Sequence, residues 1–87
     1  MEKRLGFVGI ILEDRKKQAD AVNKILSDYG ENIVARVGLP YKEKNCSVIT
    51  LTVDITTDDL GTMTGRLGNI AGVSVKSALS KQNSQNK

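Results

Sequence analysis

Enzymatic chemistry needs an activated nucleophile, a proton carrier or a metal, and this chain is poor in all three. It has no histidine and one cysteine, Cys46, among 87 residues. A nucleophile would have to be that thiol or a serine beside a lysine, and no such local signature occurs. Cys46 opens an alternating apolar run and reads as a small apolar filler. Glu13-Asp14 and Asp58-Asp59 are paired carboxylates of the kind used for acid–base work. Each pair, however, stands where a helix begins, and carboxylates there cap backbone N–H groups. Asp54, Asp58 and Asp59 lack the spacing of a calcium loop. The glycine-rich run Gly61 to Gly68 lies inside a helical pattern and lacks the lysine–serine/threonine ending of a phosphate loop. No catalytic residue, metal site or cofactor is expected. Arg36, Tyr41 and Asn45 are the candidate ligand-binding residues, because they lie on or next to one strand and its loop, where an oligomer could leave a polar crevice.

The elements that would position these groups are legible from periodicity. Leu5 to Leu12 reads as a strand, with Leu5, Phe7 and Ile11 on one side and Val8, Ile10 and Leu12 on the other. Both sides are apolar, which marks the strand as central and in need of cover on both faces. Asp14 is placed to cap a helix from about Arg15 to Tyr29, whose stripe is Ala19, Val22, Ile25, Leu26 and Tyr29, with Gly30 as its stop. The cations at its start oppose the helix dipole. A second strand runs from Asn32 to Leu39, with Ile33, Ala35, Val37 and Leu39 on one side and Val34, Arg36 and Gly38 on the other. Pro40 is expected to end it, and Tyr41 to Asn45 to form a hairpin loop.

Cys46 to Ile55 is a third strand whose better apolar side, Ile49, Leu51, Val53 and Ile55, should pack on helices. Thr56-Thr57-Asp58-Asp59 starts a second helix, with Leu60, Met63, Thr64 and Leu67 as its stripe. Gly61, Gly65 and Gly68 weaken it by about 1 kcal/mol for each interior one, a cost explained if some backbone or partner approaches closely. Val73 to Ala78 is the fourth strand, with Val73 and Val75 inward. The domain is expected over residues 1–79 and a disordered polar tail over 80–87.

The order strand, helix, strand, strand, helix, strand, with right-handed crossovers, defines a ferredoxin-like βαββαβ sandwich, an α+β fold with both helices on one face. The other face should show Val8, Ile10, Val34 and Val48, or the alternative first-strand set, rimmed by Arg36 and Lys76. An apolar centre within a charged rim is how interfaces are built. A chain this small cannot bury much core alone, and with no second cysteine for a disulfide it is expected to form a homo-oligomer, a dimer or tetramer. The formal charge of +3 is mild, and phenylalanine and tyrosine together number three. Direct nucleic-acid binding is therefore not expected, since it needs a basic stripe and aromatic platforms. The apolar run after Lys3-Arg4 ends in charged residues without a cleavage site and is too short to span a bilayer. A cytoplasmic protein is expected, with no membrane partner.

Arg36-Val37-Gly38-Leu39-Pro40-Tyr41, Asn45, and Leu60 through Val75, above all Thr64-Gly65-Arg66-Leu67-Gly68 and Gly72-Val73-Ser74-Val75-Lys76, carry a resemblance. The chain resembles the small bacterial iron-only hydrogenase system regulators over about Lys3 to Ala78. That family is similar in fold to ACT domains and to the C-terminal regulatory domain of the nickel-responsive transcription factor. The resemblance implies a non-enzymatic regulatory or ligand-sensing role, with a small-molecule effector, in dimers or higher oligomers. Nickel sensing does not carry over without histidines, and no DNA-binding ribbon-helix-helix segment is expected ahead of the first strand. Glu13-Asp14-Arg15 replace the usual effector glycine of ACT domains, which counts against amino-acid binding. The alternatives are a nucleic-acid-binding module using the open sheet face and a small enzyme with an interfacial site.

Overall fold

The computed structural model describes residues 2–81. Its elements run β1 (Arg4–Leu12), α1 (Arg15–Asp28), β2 (Ile33–Tyr41), β3 (Cys46–Ile55), α2 (Thr57–Gly68) and β4 (Val73–Leu79), with single 3₁₀ turns at Gly30–Asn32 and Lys42–Lys44. The strands form one sheet in the order β2-β3-β1-β4, each neighbouring pair antiparallel. Doubly apolar β1 is thus central, and the expected ferredoxin-like βαββαβ sandwich is the fold observed.

The core lies between the sheet and both helices. Ile49, Leu51, Val53 and Ile55 of β3 meet Val22 and Leu26 of α1 and Leu60, Met63 and Leu67 of α2. Register decides which side of β1 joins them. Val8 pairs with Leu51 and Ile10 with Ile49, and directly opposed residues share a face. Val8, Ile10 and Leu12 are accordingly buried against the helices. The assignment of Val8 and Ile10 to the open face is corrected: they are core, and the alternative set of Leu5, Phe7 and Ile11 is the exposed one.

A second correction concerns β2. Ile33 pairs with Val53, yet Ala35 pairs with Thr52, so the register shifts between them and Val34 is the extra residue. Such a bulge breaks the period-two alternation. Ile33 therefore packs on the core, while Ala35, Val37 and Leu39 stand opposite Thr52, Thr50 and Val48 on the other face. Pro40 does not end the strand, which continues to Tyr41; β2 is an edge, where a missing N–H is tolerated.

Helix starts follow two different solutions. Thr56 caps α2, its hydroxyl oxygen accepting from Asp59 N–H at 3.1 Å, with Asp58 and Asp59 in the first turn. Asp14 is the N-cap of α1 but its side chain makes no cap bond, contrary to expectation. Instead the Asp14 N–H donates to Gln18 Oε1 at 3.1 Å, and Gln18 Nε2 donates to the Ala71 carbonyl at 2.7 Å. This buried amide ties the β1–α1 turn to the turn before β4, where the Glu13 N–H also reaches the Gly72 carbonyl at 3.0 Å. Gly72 has φ 82° and faces Gln18 so closely that a Cβ would collide with its amide, so glycine is required there.

The glycines of α2 are not explained by packing within the described residues. A Cβ at Gly61, Gly65 or Gly68 would meet nothing within 4 Å, so no close approach within the chain accounts for them. At the far ends of the helices, Arg66 pairs with Asp28 at 2.8 Å and lies 5.8 Å from the centre of the Tyr29 ring. Ser80 N–H donates to the Leu5 carbonyl at 2.7 Å; residues 82–87 of the expected tail lie outside the described residues.

Candidate functional site

Two surfaces are built well enough to do something, one on each side of the sheet. On the uncovered side, β1 contributes Leu5, Phe7 and Ile11 and β2 contributes Val37, Leu39 and Tyr41, all exposed. Cross-strand register sets them in rows: Leu39, Val48 and Ile11 lie side by side, as do Val37, Thr50, Gly9 and Lys76. Phe7 is 57% exposed and Val37 65%. A contiguous apolar patch of this kind is the sort of surface through which proteins associate. Near its middle, the missing side chain of Gly9 leaves a shallow depression of about 170 Å³ bordered by Ile11, Val48 and Lys76. Val34 is exposed, but at the bulge rather than in these rows.

On the helix side, α1 and the β2–β3 hairpin border a cleft. Arg36 stands opposite Leu51 and so faces the helices, where its Nη2 donates to Asn23 Oδ1 at 2.5 Å. Arg36 and Tyr41, five residues apart on one strand, fall on opposite faces. Tyr41 pairs with Cys46 on the uncovered side; its phenol is held above its ordinary range, chiefly by a hydrogen bond to the Glu43 carboxylate, with minor contributions from desolvation and from Cys46. Asn45 adopts φ 54° in the hairpin turn, a left-handed conformation that asparagine tolerates. Its Nδ2 approaches Asp14 Oδ1 at 3.5 Å and its carbonyl lies 3.5 Å from the Arg15 N–H, both long for hydrogen bonds. Arg36, Tyr41 and Asn45 therefore do not converge. Arg36 instead shares its cleft with Arg15 and Asn23, two residues outside the apolar stripe that periodicity gives this helix. The one sequence signal for Arg15 was a cation at the wrong end of a helix.

Among the described residues no three histidine, cysteine, aspartate or glutamate side chains gather closely enough to hold a metal ion. No helix among them is long and apolar enough to cross a membrane.

A four-stranded antiparallel sheet in the order β2-β3-β1-β4 with both helices on one face is a ferredoxin-like domain of ACT type. Its backbone is similar to the crystal structure of the ACT domain from GTP pyrophosphokinase of Chlorobium tepidum, with a TM-score of 0.73, 23% identity, and coverage of 87% of this chain and 99% of that one. The solution structure of the same ACT domain gives 0.71 at 24% identity, covering 90% and 89%. At those identities the likeness speaks for the fold alone. The uncharacterized protein TM1266 from Thermotoga maritima is similar at 40% identity with a TM-score of 0.88, over 92% of this chain and 100% of that one. Residues 4–77 match the family described as "TM1266-like: Iron-only hydrogenase system regulator, putative". The chain belongs to that family. Among curated proteins none matches significantly.

Proposed function

We propose that this chain is a non-catalytic regulatory domain that works as a homo-oligomer and answers to a small-molecule effector in an iron-only hydrogenase system. The observation that carries the reading is the uncovered sheet face. Phe7, Ile11, Val37 and Leu39 are as apolar as the residues of a core, yet no element among the described residues covers them. Burying a large aliphatic or aromatic side chain contributes about 1.5–3 kcal/mol, so a second copy offering the same face has much to gain. Family membership supports the regulatory half of the reading. The absence of histidine and of clustered metal-ligating side chains among the described residues leaves catalysis without obvious equipment. Any effect on transcription would pass through the effector or a partner protein.

Light scattering across micromolar concentrations tests the oligomer. A mass of two or four chains is expected for the wild type, and a mass of one chain for Phe7→Asp. A folded wild-type monomer at all concentrations would end the proposal. Binding of RNA or DNA that falls steeply with added salt would point instead to a nucleic-acid face.

A further inference from the structure

A cleft of about 200 Å³ lies between α1 and the β2–β3 hairpin, on the side of the sheet that the helices cover. Leu12, Ala19 and Ile49 give it an apolar floor, and Arg15, Arg36 and Asn23 its polar wall. The Arg36 guanidinium is held at the cleft by its bond to Asn23, which engages one of five available donors. No aspartate or glutamate lines the cleft. The arginine–carboxylate pair found among the described residues, Arg66 with Asp28, lies at the other end of α1. Two arginines thus share one concavity with no counter-ion of its own. The first turn of α1, which flanks it, holds Arg15, Lys16 and Lys17 and no acid; the carboxylate at this helix end is the N-cap Asp14, which does not line the cleft.

We infer that this cleft binds a compact dianion, phosphate or a small dicarboxylate, between Arg15 and Arg36. A guanidinium presents a planar fork of donors that matches the paired oxygens of either group. Size narrows the class: sites for drug-sized ligands begin near ~300 Å³, whereas this volume equals that of roughly seven waters. An α-amino acid is a poorer fit, because no carboxylate in the wall can pair with its ammonium. The apolar floor suits the short hydrocarbon of a dicarboxylate. The inference gives chemical content to the effector proposed above and rests on that reading only for its biological meaning. The cleft is on the opposite side of the sheet from the proposed association surface, so solution mass and ligand affinity fail independently.

The test is a titration of the full chain with sodium phosphate and, separately, sodium malonate at constant ionic strength, followed by backbone amide shifts. Saturable shifts at Arg15, Asn23 and Arg36 are expected. Affinity should fall at least about tenfold in Arg36→Gln and in Arg15→Gln, and stay at the wild-type value in Arg66→Gln. If Arg36→Gln loosens the fold, Arg15→Gln, at an exposed helix position, decides the matter. Saturation by phosphate alone identifies a phosphate site, and by malonate alone a dicarboxylate site. Shifts that follow ionic strength without saturating, or an affinity indifferent to both arginines, overturn the inference.

Discussion

The two faces of the sheet are built from the same strands and from residues of similar hydrophobicity, and they end in opposite circumstances. Val8 and Ile10 are completely buried, while Phe7 and Ile11, their neighbours along β1, are about half exposed. The difference does not lie in the strand. It lies in what two helices can reach: the stripes of α1 and α2 supply five large buried side chains, all to one side. Alternation along a strand records how much apolar surface must be covered; only pairing with β3 records by what.

That contrast can be broken most forcefully at β1. Ile10→Asp places an unpaired carboxylate in the core, at a cost of several kcal/mol that rivals the whole stability of a small domain. Circular dichroism should show an unfolded chain at room temperature. Phe7→Asp, three positions away on the other face, should keep the native spectrum and change only the mass in solution. If both variants unfold alike, the faces are energetically equivalent and the contrast collapses. A smaller effect is expected at the strap that joins the two turns on the helix side. Gly72→Ala forces a side chain into a left-handed conformation against Gln18 and should lower stability by roughly 1–3 kcal/mol, readable as a reduced urea midpoint. Gly65→Ala runs the other way, because an open site in a helix gains up to about 1 kcal/mol from alanine. A lowered melting temperature there would mean that something outside the described residues packs on α2.

The mildest test is on the uncovered face itself. The neutral Tyr41 phenol is favoured by its bond to Glu43, so its folded pKa lies above the unfolded value of about 10. Its small stabilisation is complete below that unfolded value and is lost as pH climbs through the folded one. Ultraviolet titration of tyrosinate in Glu43→Gln should show ionisation beginning at lower pH than in the wild type; an unchanged curve would remove Glu43 as the cause.

Much of this architecture could be read before any coordinates, and the misreadings have identifiable causes. Centrality of β1, the inward side of β3 and the stripe of α2 follow from local periodicity, which the tertiary structure had no reason to override. The orientation of β1 needed the pairing of Val8 with Leu51, a relation between distant residues that no window of sequence contains. The phase of β2 was hidden by one extra residue at Val34. The cap of α1 was misassigned because Gln18 is oriented by the carbonyl of Ala71, 53 residues away. Among the ligand candidates, strand alternation alone separates Arg36 from Tyr41, since an odd spacing puts them on opposite faces. The pairing of Arg36 with Arg15 depends on how α1 lies across the sheet, which periodicity does not specify.

The outer margin of β2 has a bearing on how copies of the molecule can meet. Unpaired edge strands recruit one another side by side and so seed fibres, and this one spans nine residues. It is blunted twice, by the kink around Val34 and by the absent donor of Pro40, while β4 on the far side carries Lys76. Runaway polymerisation by strand addition is thereby discouraged, and the association proposed above would use the flat of the sheet instead.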